Sequence, residues 1–416
     1  MEDCKAKFVV TSMSYYESVI KNALKHDTGS IQTVYVTESL YRKLSDRCQP
    51  FENLTMFSIE NPNAIFRKHR FDIREDIAFL MYSSGTTGKP KGVMLSHYNV
   101  MCGVQPMGSG YYLFPGYNEP FLAILPLYHI YGLMLLVHSL HHGSRVITMQ
   151  RFDPKLFLSS IQHHKIPGLF VVPPLLVFLA KNSLTQQYDL SNLHYIGVGA
   201  APCGKALIDE LKCRIPNVEY VLQSYGMTEC TGASHVTPPF SGTPPQSCGQ
   251  LLPNFEAKVV DLENGQELGP NKDGEIQIRS GSVMNGYINN RSAMRSSVDD
   301  SGFLHTGDVG HYDHDGYFYI VDRIKELIKV NGRQVAPAEL EDVILSMPQV
   351  QDAAVIGIPD ERCGELPKAF VVRKYDDPST SSKLNESSII QFVNRKIVRR
   401  LLRDKHFASI STSSKL

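Results

Sequence analysis

The sequence lacks several features that would narrow the class of protein at once. Its 42 basic and 42 acidic residues give a formal net charge of zero, so no nucleic-acid or anionic-membrane partner is indicated. Its 8 cysteines are scattered without a Cys-x-x-Cys pair, which in a chain of this length predicts reduced thiols and no disulfide framework. The first residues hold no apolar segment like that of a secretory signal. A length of 416 residues predicts a globular protein of two or more domains.

Long apolar runs are also scarce. The longest covers residues 121–137 and is interrupted by Pro126, His129 and Gly132. It is short and broken for a bilayer span, so we predict that it lies in the protein interior and that the chain has no membrane span.

The most informative segment present is a short loop rich in glycine, hydroxyl and lysine side chains. It follows residues 77–82, an apolar run that predicts a buried strand. Glycines let backbone N–H groups converge on a polyanion, and hydroxyls and lysines bind phosphate oxygens. The spacing is not that of a Walker A loop, because Pro90 stands where the second glycine is required. We predict a triphosphate-binding loop formed by Ser83, Ser84, Gly85, Thr86, Thr87, Gly88, Lys89 and Lys91.

The pattern of apolar residues changes in kind along the chain. Residues 168–222 alternate short apolar strands with helices, which predicts a parallel sheet with right-handed crossovers. From Gly274 the pattern becomes that of antiparallel strands, with a hairpin predicted at Asp315-Gly316. The predicted fold class is therefore α/β.

A smaller α+β unit follows the antiparallel region and begins after Arg323. Its helical segments carry apolar residues at helical spacing, so each is predicted to bury one face. We predict a large domain over residues 1–322 and a small α+β domain over residues 323–416.

Further segments combine polar side chains with turn residues. Of these, 223–229 directly follows a predicted strand, and 197–202 forms a predicted strand-to-helix turn. Such turns let the backbone approach a ligand closely. The segment at 197–202 is not a dinucleotide fingerprint, because Pro202 occupies the position of the third glycine. The segments are 126–132 (PLYHIYG), 197–202 (GVGAAP), 223–229 (QSYGMTE), 305–310 (HTGDVG) and 319–329 (YIVDRIKELIK).

Together with the loop, these segments resemble, in the same order, the signature motifs of the adenylate-forming superfamily. That superfamily includes acyl-CoA synthetases, 4-coumarate–CoA ligases and beetle luciferases. The resemblance implies a large adenylate-forming domain followed by a mobile small domain. It also implies a reaction in two steps: a carboxylic acid and Mg·ATP give an acyl-adenylate, and CoA then displaces AMP. ATP, Mg²⁺ and CoA are thus the implied cofactors, and the sequence does not indicate which carboxylic acid is the substrate.

The resemblance implies roles for individual residues. Tyr225 would pack on adenine, Asp308 would accept hydrogen bonds from both ribose hydroxyls, and Arg323 would add a cation near the ribose. Glu229 would hold Mg²⁺, and Lys325 would be the hinge. The residues implied in catalysis are His129, Thr228, Lys329 and Gln334. The other implied nucleotide contacts are Gly199, Ala200, Ala201, Pro202, Gln223, Gly226, Met227 and Thr228.

The resemblance breaks at two places. The phosphate loop begins by Ser83, so most of the first family subdomain is expected to be absent, as in a splice form, an incomplete gene model or a fragment. The Gly-Lys segment of the family, whose lysine bridges the carboxylate and the α-phosphate, has no counterpart in residues 407–416. Loss of one preorganised charge donor costs on the order of 10²–10³ in rate. Impaired adenylation is therefore expected, with the thioester step better preserved.

Two other functions stay open at this point. One is a nucleotide-binding isoform that cannot activate acids, and the other is a luciferase-like monooxygenase. The last three residues, Ser414-Lys415-Leu416, match a peroxisomal address. They predict a peroxisomal location with the import receptor as a partner, the alternative being the cytoplasm. The sequence indicates no oligomeric state.

Overall fold

The structure is a computed structural model that describes residues 3–27, 29–38, 47–54, 70–83, 90–108, 112–239, 242–330, 333–360, 362–373 and 385–401. The strands of these residues are β1 (Phe8–Ser12), β2 (Thr33–Thr37), β3 (Cys48–Pro50), β4 (Ile77–Ser83), β5 (Lys91–Ser96), β6 (Pro120–Ala123), β7 (Arg145–Thr148), β8 (Gly168–Val171), β9 (Tyr195–Val198), β10 (Tyr220–Met227), β11 (Gly232–Val236), β12 (Gly249–Leu251), β13 (Phe255–Val260), β14 (Glu267–Leu268), β15 (Gly274–Ser280), β16 (Gly286–Tyr287), β17 (Leu304–Tyr312), β18 (Tyr317–Arg323), β19 (Ile328–Val330), β20 (Arg333–Val335), β21 (Val350–Asp360) and β22 (Gly364–Arg373).

The helices are α1 (a helical stretch over 13–26), α2 (His97–Val104), α3 (Ile130–His142), α4 (Pro154–His164), α5 (Pro173–Lys181), α6 (Lys205–Arg214), α7 (Arg291–Ser297), α8 (Pro337–Leu345) and α9 (Glu386–Leu401). Short 3₁₀ turns include Ser183–Gln187 and Thr228–Cys230. In the part of the chain that the structure describes, no helix combines the length and the apolar character that crossing a bilayer requires.

The chain divides into two compact units, and the first contains Met1–Met101 and Met284–Arg295. Strands β1, β2 and β3 form a parallel sheet in that order, with α1 packed against it. In β2, Val34 and Val36 alternate with more exposed residues, so one face of this strand meets the helix.

A second sheet of the first unit has the order β16-β5-β4, so β4 lies at its edge. The sequence predicted β4 as a buried strand, and this prediction is wrong in detail. Met81 is buried, whereas Ile77 and Tyr82 are exposed. The more buried member of the sheet is the central strand β5, in which Val93 and Leu95 are completely buried.

The second unit contains Cys102–Val283 and Ser296–Leu416, and its main feature is a ten-stranded sheet. The strand order is β14-β13-β15-β17-β18-β12-β11-β10-β9-β8. Strands β8, β9 and β10 are parallel, as predicted from the alternation of strands and helices. Every residue of β8 and β9 is buried, as is typical of parallel strands covered on both faces.

A compact apolar core fills the space between these parallel strands and helices α4, α5 and α6. Phe157, Leu176, Leu179 and Leu211 are completely buried in it. The carboxyl ends of β9 and β10 are thereby held rigidly, and they carry the segments 199–202 and 223–229 that the sequence singled out.

The other strands of the large sheet are antiparallel. Strands β17 and β18 form the hairpin predicted at Asp315-Gly316, where Gly316 adopts a φ of 77° that glycine tolerates without strain. The hairpin pairs Asp308 with Arg323 across its two strands.

The C-terminal part of the second unit has its own sheet, in the order β20-β19-β22-β21. Helices α8 and α9 cover one face of it and bury Leu340, Ile344, Val355 and Val393 in a separate core. The carboxylate of Asp322 accepts a hydrogen bond from the backbone N–H of Ala338 at 3.2 Å. This bond ties the end of β18 to the start of α8.

Candidate functional site

His129 lies at the start of α3, in a segment that the sequence predicted to be interior. That prediction is wrong for residues 126–129, where Tyr128 is 83% exposed and His129 is also exposed. His129 adopts an extended backbone and its Nδ1 accepts a hydrogen bond from the N–H of Tyr131 at 3.2 Å. The histidine therefore caps the helix, because a free helical N–H needs a partner. Pro126 breaks the apolar run and brings the capping turn to the surface.

The segment after β9 is a turn with unusual backbone geometry. Gly199 is buried, and a Cβ at this position would lie 3.0 Å from Ser224 Oγ and 3.1 Å from the ring of Tyr131. Ala200 has a φ of 73°, a left-handed conformation that costs a non-glycine residue free energy. Ala201 and Pro202 are exposed. The turn thus presents a short stretch of backbone to solvent next to β10.

Gln223 is a buried residue of β10 whose side chain is fully engaged within the protein. Its Oε1 accepts from the N–H of Cys203 at 2.8 Å, and its Nε2 donates to the carbonyl of Pro245 at 2.5 Å. These bonds connect the segment after β9 with the loop after β11. Both polar ends of the Gln223 side chain therefore have hydrogen-bond partners within the protein.

Tyr225, Asp308 and Arg323, predicted to bind adenosine, come together in the structure. The phenolic oxygen of Tyr225 donates to Asp308 Oδ2 at 2.6 Å. Arg323 Nε lies 3.6 Å from Asp308 Oδ1. Asp308 is buried, and the guanidinium side chain of Arg323 beside it is 57% exposed.

The surroundings of Asp308 shift the acidity of both partners. Burial raises the pKa of Asp308, and the hydrogen bond from Tyr225 and the charge of Arg323 oppose that rise. Burial, with Asp308 beside it, raises the pKa of Tyr225 well above 10. Tyr225 is therefore a protonated hydrogen-bond donor at neutral pH.

The backbone around Asp308 bulges out of the sheet. In the β15–β17 ladder, Glu275 pairs with Val309 and Gln277 pairs with His305. Only Ile276 therefore faces the segment from Thr306 to Asp308. The side chain of Glu275 reaches into this gap, and its Oε1 accepts from the N–H of Gly307 at 3.1 Å. No local pattern in the sequence indicates a role for Glu275, because its partners on β17 lie about 30 positions away.

Thr228 and Glu229 lie in the 3₁₀ turn between β10 and β11. Thr231 ends this turn with a φ of 58°, and its side chain donates to the carbonyl of Ser282 at 2.5 Å. Gly226 precedes the turn, and a Cβ there would collide with the carbonyl of Gly232. The turn that presents Glu229 is therefore tight and well fixed.

The predicted phosphate loop falls mostly outside the described residues, which exclude 84–89. Its two ends belong to the first unit, where Ser83 and Lys91 are partners in the β4–β5 ladder. The ammonium of Lys91 lies 4.9 Å from the centre of the Tyr287 ring. The two strands therefore hold the ends of the loop side by side.

Lys329 and Gln334 are directly opposite each other on strands β19 and β20. Directly opposite residues of an antiparallel pair project to the same face, so these two residues, both implied in catalysis, lie together. Both are exposed, and the N–H of Lys329 donates to Glu365 Oε2 at 2.7 Å. Lys325 lies in the exposed turn between β18 and β19. The peroxisomal address and residues 407–416 lie outside the described part of the chain.

Two protein-family models match the chain. The AMP-binding enzyme model covers residues 1–288, and the AMP-binding enzyme C-terminal domain model covers residues 339–410.

Individual relatives agree with these matches. A probable 4-coumarate–CoA ligase 3 from Dictyostelium discoideum is 37% identical over 408 residues, covering 94% of this chain and 72% of the relative. A luciferin 4-monooxygenase from Photinus pyralis is 40% identical over 337 residues, covering 80% of this chain and 60% of the relative.

A solved structure shows the same fold over the whole chain. O-succinylbenzoate coenzyme A synthetase (MenE) from Bacillus subtilis, in complex with ATP and magnesium ion, is 28% identical with a TM-score of 0.76. The match covers 100% of this chain and 77% of that structure. The chain belongs to the AMP-binding enzyme family, and it is an adenylate-forming enzyme of the acid–thiol ligase type.

Proposed function

We propose that this protein activates a carboxylic acid with ATP and Mg²⁺ and transfers the acyl group to CoA. The observation that carries the proposal is the grouping of Tyr225, Asp308 and Arg323, since a carboxylate beside an exposed cation suits the hydroxyls of a ribose. The fold and the relatives that share it support the same chemistry.

The nucleotide would lie over the carboxyl ends of β9 and β10. The ring of Tyr225 offers a surface for adenine, and the exposed backbone at Ala200 and Ala201 can approach the base closely. The hydroxyls of the ribose would donate to Asp308. Arg323 would then balance the charge of that carboxylate beside the nucleotide.

From the family resemblance we infer that Thr228 contacts a phosphate of the nucleotide. We propose separately that residues 83–91 form a phosphate-binding loop. Among the described residues, no three His, Cys, Asp or Glu side chains gather into a group that could hold a metal ion alone. Glu229 supplies a single carboxylate, and this fits Mg²⁺, which binds one or two carboxylates and completes its shell with phosphates and water. Bound there, the ion would supply charge neutralisation on the phosphate oxygens.

The reaction needs little covalent participation by side chains. An oxygen of the substrate carboxylate attacks the α-phosphorus of ATP, the bond to the β-phosphate oxygen breaks, and pyrophosphate leaves. The thiolate of CoA then attacks the acyl carbon, and AMP leaves with the oxygen it received. The protein contributes position and charge, which together account for most of the barrier lowering in such transfers.

We assign the second step to the small domain. Lys329 and Gln334 share one exposed face of the β19–β20 hairpin and can meet the acyl-adenylate from there. The small domain has its own core, and Lys325 lies at its connection to β18. We propose that residues 323–416 move about this hinge between the steps, with His129 at the entrance for the acid.

The proposal is tested by acid-dependent exchange of labelled pyrophosphate into ATP, run over aromatic, medium-chain and long-chain acids. Exchange with one class of acid, lost in Asp308→Asn and kept in the matched surface variant Asp273→Asn, is expected. If ATP binds in calorimetry but no acid supports exchange, the ligase proposal fails and the nucleotide-binding isoform replaces it. Light emission with luciferin and no thioester would favour the monooxygenase alternative.

We also propose that Ser414-Lys415-Leu416 directs the protein to peroxisomes through the import receptor. The test is the location of a fluorescent protein fused in front of residues 323–416. Peroxisomal fluorescence that Leu416→Ala abolishes would support the address, and diffuse fluorescence of the unchanged fusion would leave the cytoplasm as the location.

A further inference from the structure

A carboxylate next to the proposed ribose site is not accounted for by nucleotide binding. Glu275, at the second position of β15, has a side chain that is 13% exposed. Its two oxygens contact three groups on the bulged segment and its neighbours. Oε1 accepts from the N–H of Gly307 at 3.1 Å, while Oε2 lies 2.8 Å from His305 Nδ1 and 2.9 Å from Gln277 Nε2.

The bulge explains why this carboxylate is needed. Between the Glu275–Val309 pair and the Gln277–His305 pair, one residue of β15 faces three residues of β17. A bulged residue has no ladder partner, so its N–H would be unsatisfied when buried. Glu275 supplies the missing acceptor to Gly307, which has a φ of 73° and so allows the chain to turn there.

A second contact holds the same segment from within. The hydroxyl of Thr306 donates to the carbonyl of Ile276 at 2.6 Å and accepts from the N–H of Asp308 at 3.1 Å. The bulge is therefore attached to β15 at two neighbouring points, Thr306 and Gly307. Bulges next to active sites re-aim the side chains that they carry.

We propose that Glu275 is a positioning residue: it clamps the bulge through Gly307 and so aims the carboxylate of Asp308 at the ribose hydroxyls. His305 and Gln277 hold the second oxygen of Glu275, which leaves the first oxygen fixed toward Gly307. The inference rests on the proposed role of Asp308 in binding ribose. Glu275 itself touches no substrate.

The experiment compares the equilibrium dissociation constants of the full chain for ATP and for 2′-deoxy-ATP. Asp308 accepts hydrogen bonds from the ribose hydroxyls only when its carboxylate is correctly oriented. The ratio of the two dissociation constants therefore reports that orientation. We expect the unchanged protein to bind ATP at least about tenfold more tightly than 2′-deoxy-ATP, because one hydrogen bond to a charged group contributes that much. Glu275→Ala and Glu275→Asp should both reduce the ratio to about 2 or less, because neither side chain reaches Gly307.

Two variants separate an effect on the orientation of the Asp308 carboxylate from an effect on the stability of the protein. Glu275→Gln keeps an oxygen that can accept from Gly307, so it should retain a ratio within about threefold of the unchanged protein. Asp273→Asn is the matched control, because Asp273 also pairs with a histidine on β17, at 2.7 Å from His311 Nδ1. The Asp273 side chain is 58% exposed, and Asp273→Asn should leave the ratio unchanged. Glu275→Asp keeps the charge, so it provides the measurement if Glu275→Ala does not fold.

Asp308→Asn distinguishes a failure of the proposal for Glu275 from a failure of the ribose assignment. If Asp308→Asn lowers the ratio while Glu275→Asp and Glu275→Ala retain it, the clamp is wrong and the ribose assignment stands. If Asp308→Asn also retains the ratio, the ribose assignment is wrong, and the role of Glu275 falls with it.

Discussion

The hydroxyl of Tyr225 donates a hydrogen bond to Asp308 across 2.6 Å, although 83 positions separate the two residues in the sequence. The bond joins the carboxyl end of the parallel part of the sheet to the bulged hairpin strand β17. The bond also stabilises the ionised form of Asp308 and so lowers its pKa, whereas burial of Asp308 raises that pKa.

The first prediction concerns the pH dependence of nucleotide binding. Ribose hydroxyls donate to the ionised carboxylate, so ATP affinity should fall as pH falls through the pKa of Asp308, which burial raises above its ordinary value of 3.8. The hydrogen bond from Tyr225 lowers that pKa, so Tyr225→Phe should raise it further. The acid limb of the affinity profile should then move to higher pH, as titration calorimetry across the pH range would measure.

Tyr319 offers a matched control for this prediction. Its hydroxyl also donates to an aspartate, Asp313, across 2.9 Å, and Asp313 is not one of the proposed nucleotide contacts. Tyr319→Phe should leave the acid limb in place. An acid limb in Tyr225→Phe at the same pH as in the unchanged protein would show that Asp308 does not control binding.

The second prediction concerns the tight turn that presents Glu229. In Gly226→Ala the new methyl group would collide with the carbonyl of Gly232 and lie 2.7 Å from the Cα of Ala233. Backbone atoms cannot yield as a flexible side chain can, so we expect a loss of about 3 kcal/mol or more in the free energy of unfolding. Urea denaturation would measure it.

Gly204→Ala is the control for this glycine, because a Cβ there meets nothing within 4 Å and its φ is −71°. It should change the free energy of unfolding by no more than about 1 kcal/mol. Equal stabilities of the two alanine variants would contradict the geometry of the β10–β11 turn.

The third prediction concerns stability in acid. Burial lowers the pKa of His138 and of His235 to about 3, from 6.5. The unfolded chain therefore binds these protons first, and the free energy of unfolding should fall as pH drops from about 6.5 towards about 3. Each histidine should lower the free energy of unfolding by about 2 kcal/mol at pH about 5, relative to neutral pH.

His138→Leu should remove one of these contributions, so its stability should fall less steeply with acid than that of the unchanged protein. The exposed His194 provides the control, and His194→Gln should keep the original slope. Identical slopes in His138→Leu and the unchanged protein would rule out a neutral buried His138.

The fourth prediction concerns the reactivity of the cysteines. Burial raises the pKa of Cys203 to about 11 and those of Cys230 and Cys248 to about 12, so these thiols hold their protons at neutral pH. Cys213 is exposed on α6. Brief treatment of the native protein with iodoacetamide should label Cys213 and spare the other three.

Peptide mass spectrometry of the treated protein would show which cysteines have reacted. Unfolding in urea before treatment should make all four cysteines react alike. Rapid labelling of Cys230 in the native protein would be incompatible with the burial of the turn beside Glu229.

Much of the fold follows from local patterns in the sequence. The short apolar runs of β8 and β9 and the intervening helix predict parallel strands, because only a covered strand is apolar on both faces. The Asp315-Gly316 turn fixes a hairpin, which by itself brings Asp308 close to Arg323. These features depend on neighbours in the sequence, so they can be predicted without the structure.

The remainder of the site depends on contacts between distant strands. The bulge at residues 306–308 arises from pairing with β15, and the hydrogen bond of Tyr225 reaches Asp308 across several strands. Nothing local to Glu275 distinguishes it from an exposed strand residue. The exposure of residues 126–129 also escaped prediction, because a capping turn brings an apolar stretch to the surface.

The most direct test of the central claim follows one oxygen atom. A carboxylic acid that supports pyrophosphate exchange is prepared with ¹⁸O in both carboxylate oxygens and incubated with the full chain, ATP and CoA. Attack of the carboxylate on the α-phosphorus predicts AMP that carries one ¹⁸O atom by mass spectrometry, formed together with the acyl-CoA. Unlabelled AMP, or ADP as the nucleotide product, would contradict adenylate formation.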